Sequence, residues 1–170
     1  MGRSGRQARA SRSGGLLRYC PRYRNISAMR LVLDTDVMVA AIRSDRGASR
    51  RLLVAGLRRV CTLLISVPLV LEYQAVMARP EHLAQAKISA RDVETLLDAV
   101  VKVAEPVRLA FLWRPRARDP NDDMVLEVAV NGRADRLVTF NRRDFARVGA
   151  RFGFVVSSPG EAVRALEEAS

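Results

Sequence analysis

The stretch LVLDTDVMVAAI, residues 31–42, decides the fold. Residues 31–34 begin as an uninterrupted apolar run and end at Asp34, a pattern typical of a strand buried in a parallel sheet. Thr35 or Asp36 is then suited to cap the apolar helix that follows. A buried strand that passes directly into a helix predicts an α/β fold.

The rest of the chain repeats this alternation. Apolar runs predict further strands at residues 61–66, 106–109, 136–139 and 151–156. Periodic patterns predict helices at residues 48–59, 68–77, 89–101, 121–132 and 161–168, whereas residues 79–82 have the composition of a loop. We therefore predict a three-layer α/β/α sandwich with a mostly parallel central sheet.

The net charge of +11 is unevenly distributed along the chain. Residues 1–28 carry seven arginines and no acid, which leaves 22 basic and 18 acidic residues in residues 29–170. The first segment has little apolar periodicity, so we expect a disordered basic tail at 1–28 and one folded domain at 29–170. The tail is a sequence upstream of a true start at Met29, a basic arm that touches RNA or a membrane, or a transit peptide.

Composition also bears on the location of the protein and on the chemistry that it could use. No apolar run approaches the roughly 18 residues of a membrane-spanning helix, so no membrane association is expected. Two cysteines, Cys20 and Cys61, cannot form a disulfide framework, which favours a reducing, cytoplasmic location. The single histidine, His82, lies in the loop-like segment, which argues against histidine-based nucleophilic chemistry.

Acidic and polar residues gather where predicted strands end and helices begin. Because ligands of open parallel sheets bind beyond the carboxyl ends of the strands, these residues are candidates for a shared site. They are Asp34, Asp119, Asp122, Asp123, Asn141 and Asp144. Glu72 joins them because it lies three and four residues from Leu69 and Val76 and so shares their predicted inward face, where an unpaired acid is costly.

Several carboxylates in one place require a counter-charge. Two unit charges 4 Å apart repel by about 4 kcal/mol at an effective dielectric of 20. Ligands that offer only oxygen suit Mg²⁺ or Mn²⁺, and such ions among carboxylates most often serve phosphoryl chemistry.

Each candidate also has a purely structural explanation. Asp34 and Asp122 are suited to cap helices, and Asp144 to cap a helix or lie on the surface. Glu72 has the arginines of residues 50–59 as candidate partners. Thr139 fits as an ordinary β-branched strand residue.

Five segments in order, at residues 31–36, 68–73, 119–129, 134–139 and 141–145, resemble the PIN-domain family. Within that family they look most like the VapC-like toxin ribonucleases of bacterial toxin–antitoxin pairs, over about residues 29–165. The resemblance implies an Mg²⁺-dependent endoribonuclease. Its catalytic and metal-binding acids fall on Asp34, Glu72 and Asp122.

The resemblance also implies supporting roles and one departure. Asp119 or Asp123 would be supporting ligands, and Thr139 would orient a metal-binding carboxylate. Many members have Asp where this chain has Asn141. Asp144 would then act as the fourth acid, or the site would hold one tight and one weak metal ion.

The same resemblance implies partners. They are an RNA substrate, a cognate antitoxin and a second copy of the chain in a homodimer, with a docking groove lined by the helices around residues 52–57 and 70–77. A further candidate is a rim of phosphate-contacting arginines beside the acids, which is a solvated loop in the structural alternative. These arginines are Arg114, Arg116 and Arg118.

Two other functions compete with the nuclease. A catalytically impaired relative that binds RNA or a partner is favoured by Asn141. A haloacid-dehalogenase-like phosphatase is suggested by the acids at 34–36 and 122–123, but that class needs a lysine ahead of the late pair. The two lysines, Lys87 and Lys102, do not follow a strand.

Overall fold

The computed structural model describes residues 28–110 and 120–169, and side chains in the second range from residue 123 onward. In these ranges five strands form one sheet in the order β3-β2-β1-β4-β5, and every neighbouring pair is parallel. The strands are β1 Arg30–Leu33, β2 Thr62–Ile65, β3 Glu105–Pro106, β4 Arg136–Val138 and β5 Val155–Ser157.

Helices cover the sheet in a three-layer α/β/α sandwich, which confirms the predicted fold class. The described ranges contain α1 Thr35–Arg43, α2 Ala48–Leu57, α3 Val67–Met77, α4 Pro80–Ala86, α5 Ala90–Val103, α6 Pro120–Asn131, α7 Arg142–Phe152 and α8 Pro159–Glu168. α6 packs on β1, β2 and β4 and contacts α3, while α2 packs against α1, α5 and α8. Across those ranges, no helix combines the length and apolarity needed to span a membrane.

The strand order reverses direction beside β1. From β1 the chain moves outward through β2 to β3, and then returns to β4 and β5 on the other side. In such sheets the crevice at the reversal point, beyond the carboxyl ends of the strands, is the usual ligand site. The ligand site of this fold is therefore expected at the junction of β1 and β4.

Helix α6 brings its N-terminus to the carboxyl ends of the strands. Its C-terminal end lies at the opposite edge, where the Arg30 guanidinium donates to the Gly132 carbonyl at 2.8 Å and to Glu105 at 2.9 and 2.8 Å. Because α6 crosses the sheet from there, residues 122 and 123 lie near the carboxyl ends of the strands.

Two predicted helix starts are confirmed. Ser89 and Asp92 form a capping box at α5, in which the Ser89 side chain accepts from the Asp92 backbone and the Asp92 carboxylate accepts from the Ser89 backbone. Ser158 and Glu161 form the same motif at α8, which begins at Pro159 rather than at Glu161.

Three segments differ from expectation. The strand predicted at 106–109 is found at Glu105–Pro106. Residues 79–82, predicted as a loop, enter α4, which begins at Pro80, a residue well suited to a first helical turn. Residues 151–152, predicted as part of the last strand, end α7, and the strand starts only at Val155. Gly153, with φ 79°, adopts the left-handed conformation that ends the helix.

Some apolar side chains of the helical layers are exposed, and others are buried. Val60 is 52% exposed because α2 ends before it, and Val101 is 48% exposed on the outer side of α5. Leu52, Leu53 and Met77, expected beside a docking groove, are buried in the core. These three side chains therefore do not line the predicted groove, and the groove itself stays a prediction.

Candidate active site

Asp34 joins the end of β1 to the start of α1. Its backbone N–H donates to the Val138 carbonyl of β4 at 2.9 Å. Its Oδ1 accepts from the Thr35 N–H at 2.7 Å, and the side chain is buried. Asp34 is thus the N-cap of α1, as its structural explanation proposed, and neither Thr35 nor Asp36 takes that role.

Thr139 holds the other oxygen of the Asp34 carboxylate. Its Oγ1 donates to Asp34 Oδ2 at 2.6 Å, and the same Oγ1 accepts from the Asn141 backbone N–H at 3.0 Å. The Thr139 side chain is fully buried, and its backbone N–H donates to the Ser157 carbonyl at 3.0 Å. The hydroxyl therefore fixes the orientation of Asp34 across the junction of β1 and β4.

Burial disfavours the charged form of Asp34. Desolvation raises its pKa, hydrogen bonds from Thr139 and Thr35 act in the opposite direction, and the neighbouring charge of Asp36 adds to the rise. Tyr73 is buried close by, since its hydroxyl donates to the Leu33 carbonyl and both burial and the charge of Asp34 raise its pKa. A cation near Asp34 would offset this electrostatic penalty.

Glu72 lies on α3, one residue before Tyr73. It is half-buried, beside the fully buried face of the helix. It forms no hydrogen bond or ion pair with the residues that the structure describes. The arginines at 50–59, its partners in the structural alternative, do not pair with it, and one of them, Arg51, pairs with Glu167 of α8. The contact of Tyr73 with Leu33 brings this part of α3 to the end of β1.

Helix α6 contributes two of the predicted acids, and the structure describes the side chain of only one of them. Asp122 lies in its first turn, but its side chain is outside the described residues, as are Asp119 and the arginines at 114, 116 and 118. Asp123 is half-buried. The backbone of residue 122 therefore lies near the carboxyl ends of the strands, and the role of its carboxylate stays a prediction.

Glu127 is a candidate that the sequence patterns did not identify. It is 8% exposed on α6, and burial together with the charge of Asp123 raises its pKa. The available signal was an acid within the apolar run Met124–Ala129, on a helix that packs against three strands. That signal is similar to the one that singled out Glu72.

Asn141 links Asp144 to the Asp34–Thr139 pair. Its side-chain amide donates to the Asp144 carboxylate, and its backbone N–H donates to Thr139. Asn141 is the N-cap residue of α7 and Asp144 lies in the first turn, where both are exposed. The structure thus brings Asp34, Thr139, Asn141 and Asp144 into one hydrogen-bonded chain, without a contact to Glu72.

The residues in place have the donor chemistry of a magnesium or manganese site. Among the residues that the structure describes, no group of three or more His, Cys, Asp or Glu side chains is arranged to hold a metal ion. Two predicted ligands, Asp119 and Asp122, fall outside that search. Asp34 offers carboxylate oxygens with lone pairs left after its two hydrogen bonds, and its buried charge favours a cation.

Two comparisons with known proteins bear on the family and the fold. Residues 30–143, more than half of the chain, match the profile of the PIN domain. The fold is similar to the crystal structure of VapBC2 from Rickettsia felis bound to a DNA fragment from its promoter, with a TM-score of 0.54 and 18% identity. The match covers 76% of this chain and 98% of that one. No curated protein sequence matches the chain.

Proposed function

The chain belongs to the PIN domain family, and from that premise we propose that it is a metal-dependent endoribonuclease. We further propose that it is the toxin of a type II toxin–antitoxin pair. The observation that carries the proposal is the buried Asp34 carboxylate, held by Thr139 at the reversal point of the sheet. Family resemblance supports nuclease chemistry there, since PIN domains are generally nucleases that use divalent metals.

Asp34, Glu72 and Asp122 are the proposed metal-binding and catalytic acids. Asp144 is a weaker fourth candidate, and Asp119 and Asp123 would support them. A bound Mg²⁺ or Mn²⁺ would activate water and stabilise the attacking and leaving oxygens of a phosphodiester.

The protein's own residues prepare this site before any ligand arrives. Thr35 N–H and Thr139 Oγ1 each bind one oxygen of Asp34, so the carboxylate loses little freedom when it takes up a ligand. Tyr73 anchors the last carbonyl of β1, directly before Asp34. The site is therefore positioned by strands and a helix rather than by a loop.

Asn141 favours a second candidate function, a PIN-like protein that binds RNA or a partner without cleaving. Asn141 lacks the charge that many relatives have at this position. Its amide nevertheless holds the Asp144 carboxylate, which supports a substitute acid next to Thr139. The phosphatase hypothesis is set aside, because the chain belongs to the PIN domain family.

We expect the purified protein to cleave single-stranded RNA in the presence of Mg²⁺ or Mn²⁺. Addition of EDTA should abolish this cleavage. Water activated by the metal would attack the phosphorus and the P–O3′ bond would break, which leaves 5′-phosphate and 3′-hydroxyl ends and no covalent enzyme intermediate. The assay uses end-labelled RNA, with para-nitrophenyl phosphate as the control substrate. Cleavage that persists in EDTA would contradict the metal role, and binding without cleavage in either metal would favour the non-catalytic candidate.

We propose a cognate antitoxin and a second copy of the chain as partners in the cytoplasm. Support comes from the fold similarity to VapBC2 from Rickettsia felis bound to a DNA fragment from its promoter. Expression of the chain alone should slow bacterial growth, whereas the Asp34→Asn variant should not. Size-exclusion chromatography with light scattering should show a homodimer. A monomer without a co-purifying peptide, from cells that grow normally, would count against this assignment.

A further inference from the structure

Phe140 is an exposed aromatic side chain at the edge of the site. It is 57% exposed and lies between Thr139, which is fully buried and bound to Asp34, and Asn141. Of the large apolar side chains exposed in residues 28–110 and 120–169, it is the only aromatic one. More than half of its surface is open to solvent, so its ring is able to stack on a planar ligand.

Two arginines on α7 lie next in the chain. The helix contains four arginines and one acid, Asp144, which accepts from Asn141. Arg142 pairs with Glu161 of α8 at 2.9 Å. Arg143 and Arg147 are exposed one helical turn apart, and neither forms an ion pair within the part of the chain that is described.

An aromatic face beside uncompensated arginines fits single-stranded nucleic acid. Bases stack on aromatic side chains while cations contact the phosphates, and neither contact depends on the base sequence. A paired base has both faces covered by its neighbours, so the base must be unpaired to stack on a protein ring. A purely apolar protein partner would cover Phe140 but would leave Arg143 and Arg147 without counter-charges.

We propose that Phe140 stacks on an unpaired base of the RNA while Arg143 and Arg147 contact the phosphates that follow. The inference rests on the proposed nuclease function and adds a substrate-binding surface to it. Phe140 directly follows Thr139, so the stacked nucleotide would lie at the end of β4 where Thr139 binds Asp34. The enzyme would therefore select unpaired segments of RNA.

The test measures binding of a fluorescein-labelled single-stranded RNA to the full-length chain by anisotropy in EDTA. Phe140→Leu keeps the apolar volume but removes the ring, and it should weaken binding by about 5- to 150-fold, the equivalent of one base stack. Phe140→Tyr should bind like the unchanged protein. All three proteins should melt at the same temperature, since the ring is largely exposed.

The arginines are tested with a matched control. Arg143→Gln combined with Arg147→Gln should weaken binding and reduce the salt slope by about 1.4, as expected for two phosphate contacts on a single strand. Arg58→Gln removes an exposed arginine at the end of α2, away from the carboxyl ends of the strands, and should leave the slope nearly unchanged. Equal effects of the double variant and the control, per charge removed, would overturn the role of the α7 arginines.

An RNA with abasic sites separates stacking from charge. Phe140→Leu should have no effect on binding of the abasic strand, and an equal loss on both strands would overturn the stacking role. Unchanged binding of the intact RNA by Phe140→Leu would overturn it as well and would leave this face to a protein partner. Because binding is measured in EDTA, a failure of cleavage in Mg²⁺ would refute the nuclease function without altering these outcomes.

Discussion

Asp34→Asn should lower metal-dependent RNA cleavage by about a hundred-fold or more. Loss of a residue that only orients a metal ligand commonly costs 10- to 100-fold, and removal of the ligand's own charge should cost at least the upper end of that range. Asp34 is the one proposed ligand whose two carboxylate oxygens are both held in place by described residues, Thr35 and Thr139. Cleavage should therefore be more sensitive to this change than to Asp144→Asn.

The same substitution should leave the metal-free protein as stable as before, or more stable. Asparagine keeps an oxygen that can accept from the Thr35 N–H. Its amide can donate to Thr139 Oγ1, which has two lone pairs and already accepts from the Asn141 N–H. The variant also removes a buried charge whose pKa is raised by desolvation, so an unfavourable interaction disappears.

Cleavage rates in Mg²⁺ and urea unfolding in EDTA would measure both effects. Asp36→Asn is the matched control, because Asp36 is exposed two residues away and its loss changes the same charge. It should retain cleavage. If Asp34→Asn instead destabilises the metal-free fold by about 1 kcal/mol or more and cleaves normally, Asp34 is only a helix cap.

Thr139→Val should reduce both metal affinity and cleavage by about 10- to 100-fold, as expected when a ligand loses its orienting hydrogen bond. Valine has nearly the same shape as threonine but cannot donate to Asp34 Oδ2. It also leaves the Asn141 backbone N–H without its acceptor, which should cost about 1–3 kcal/mol of stability if no water replaces it.

Thr139→Ser provides the rescue. Serine keeps the hydroxyl and should restore most of the Mn²⁺ affinity measured by calorimetry, although it loses a buried methyl group. A purely structural role for Thr139 would change the unfolding free energy and leave Mn²⁺ affinity and cleavage intact. That result with Thr139→Val would remove the hydroxyl from the proposed mechanism.

Local patterns in the sequence were sufficient for much of the fold. The alternation of short apolar runs with periodic segments predicted the parallel α/β sandwich, and Ser89 with Asp92 predicted a helix start. Asp34 was identified because it follows an apolar strand, where the chain must turn, and Thr139 was identified through the resemblance to the PIN-domain family. These features depend on neighbours a few residues apart, which a sequence displays directly.

Only the tertiary structure decided which of these residues meet. The hydrogen bond from Thr139 to Asp34 joins residues 105 positions apart, and it exists because β4 pairs with β1 rather than with β3. Packing of α6 on the sheet buries Glu127, and the end of β4 leaves Phe140 exposed. Burial and long-range pairing are properties of the whole packed chain, since tertiary contacts override local preference. The sequence by itself therefore determined the elements and several candidate acids, and the packing of those elements determined the site.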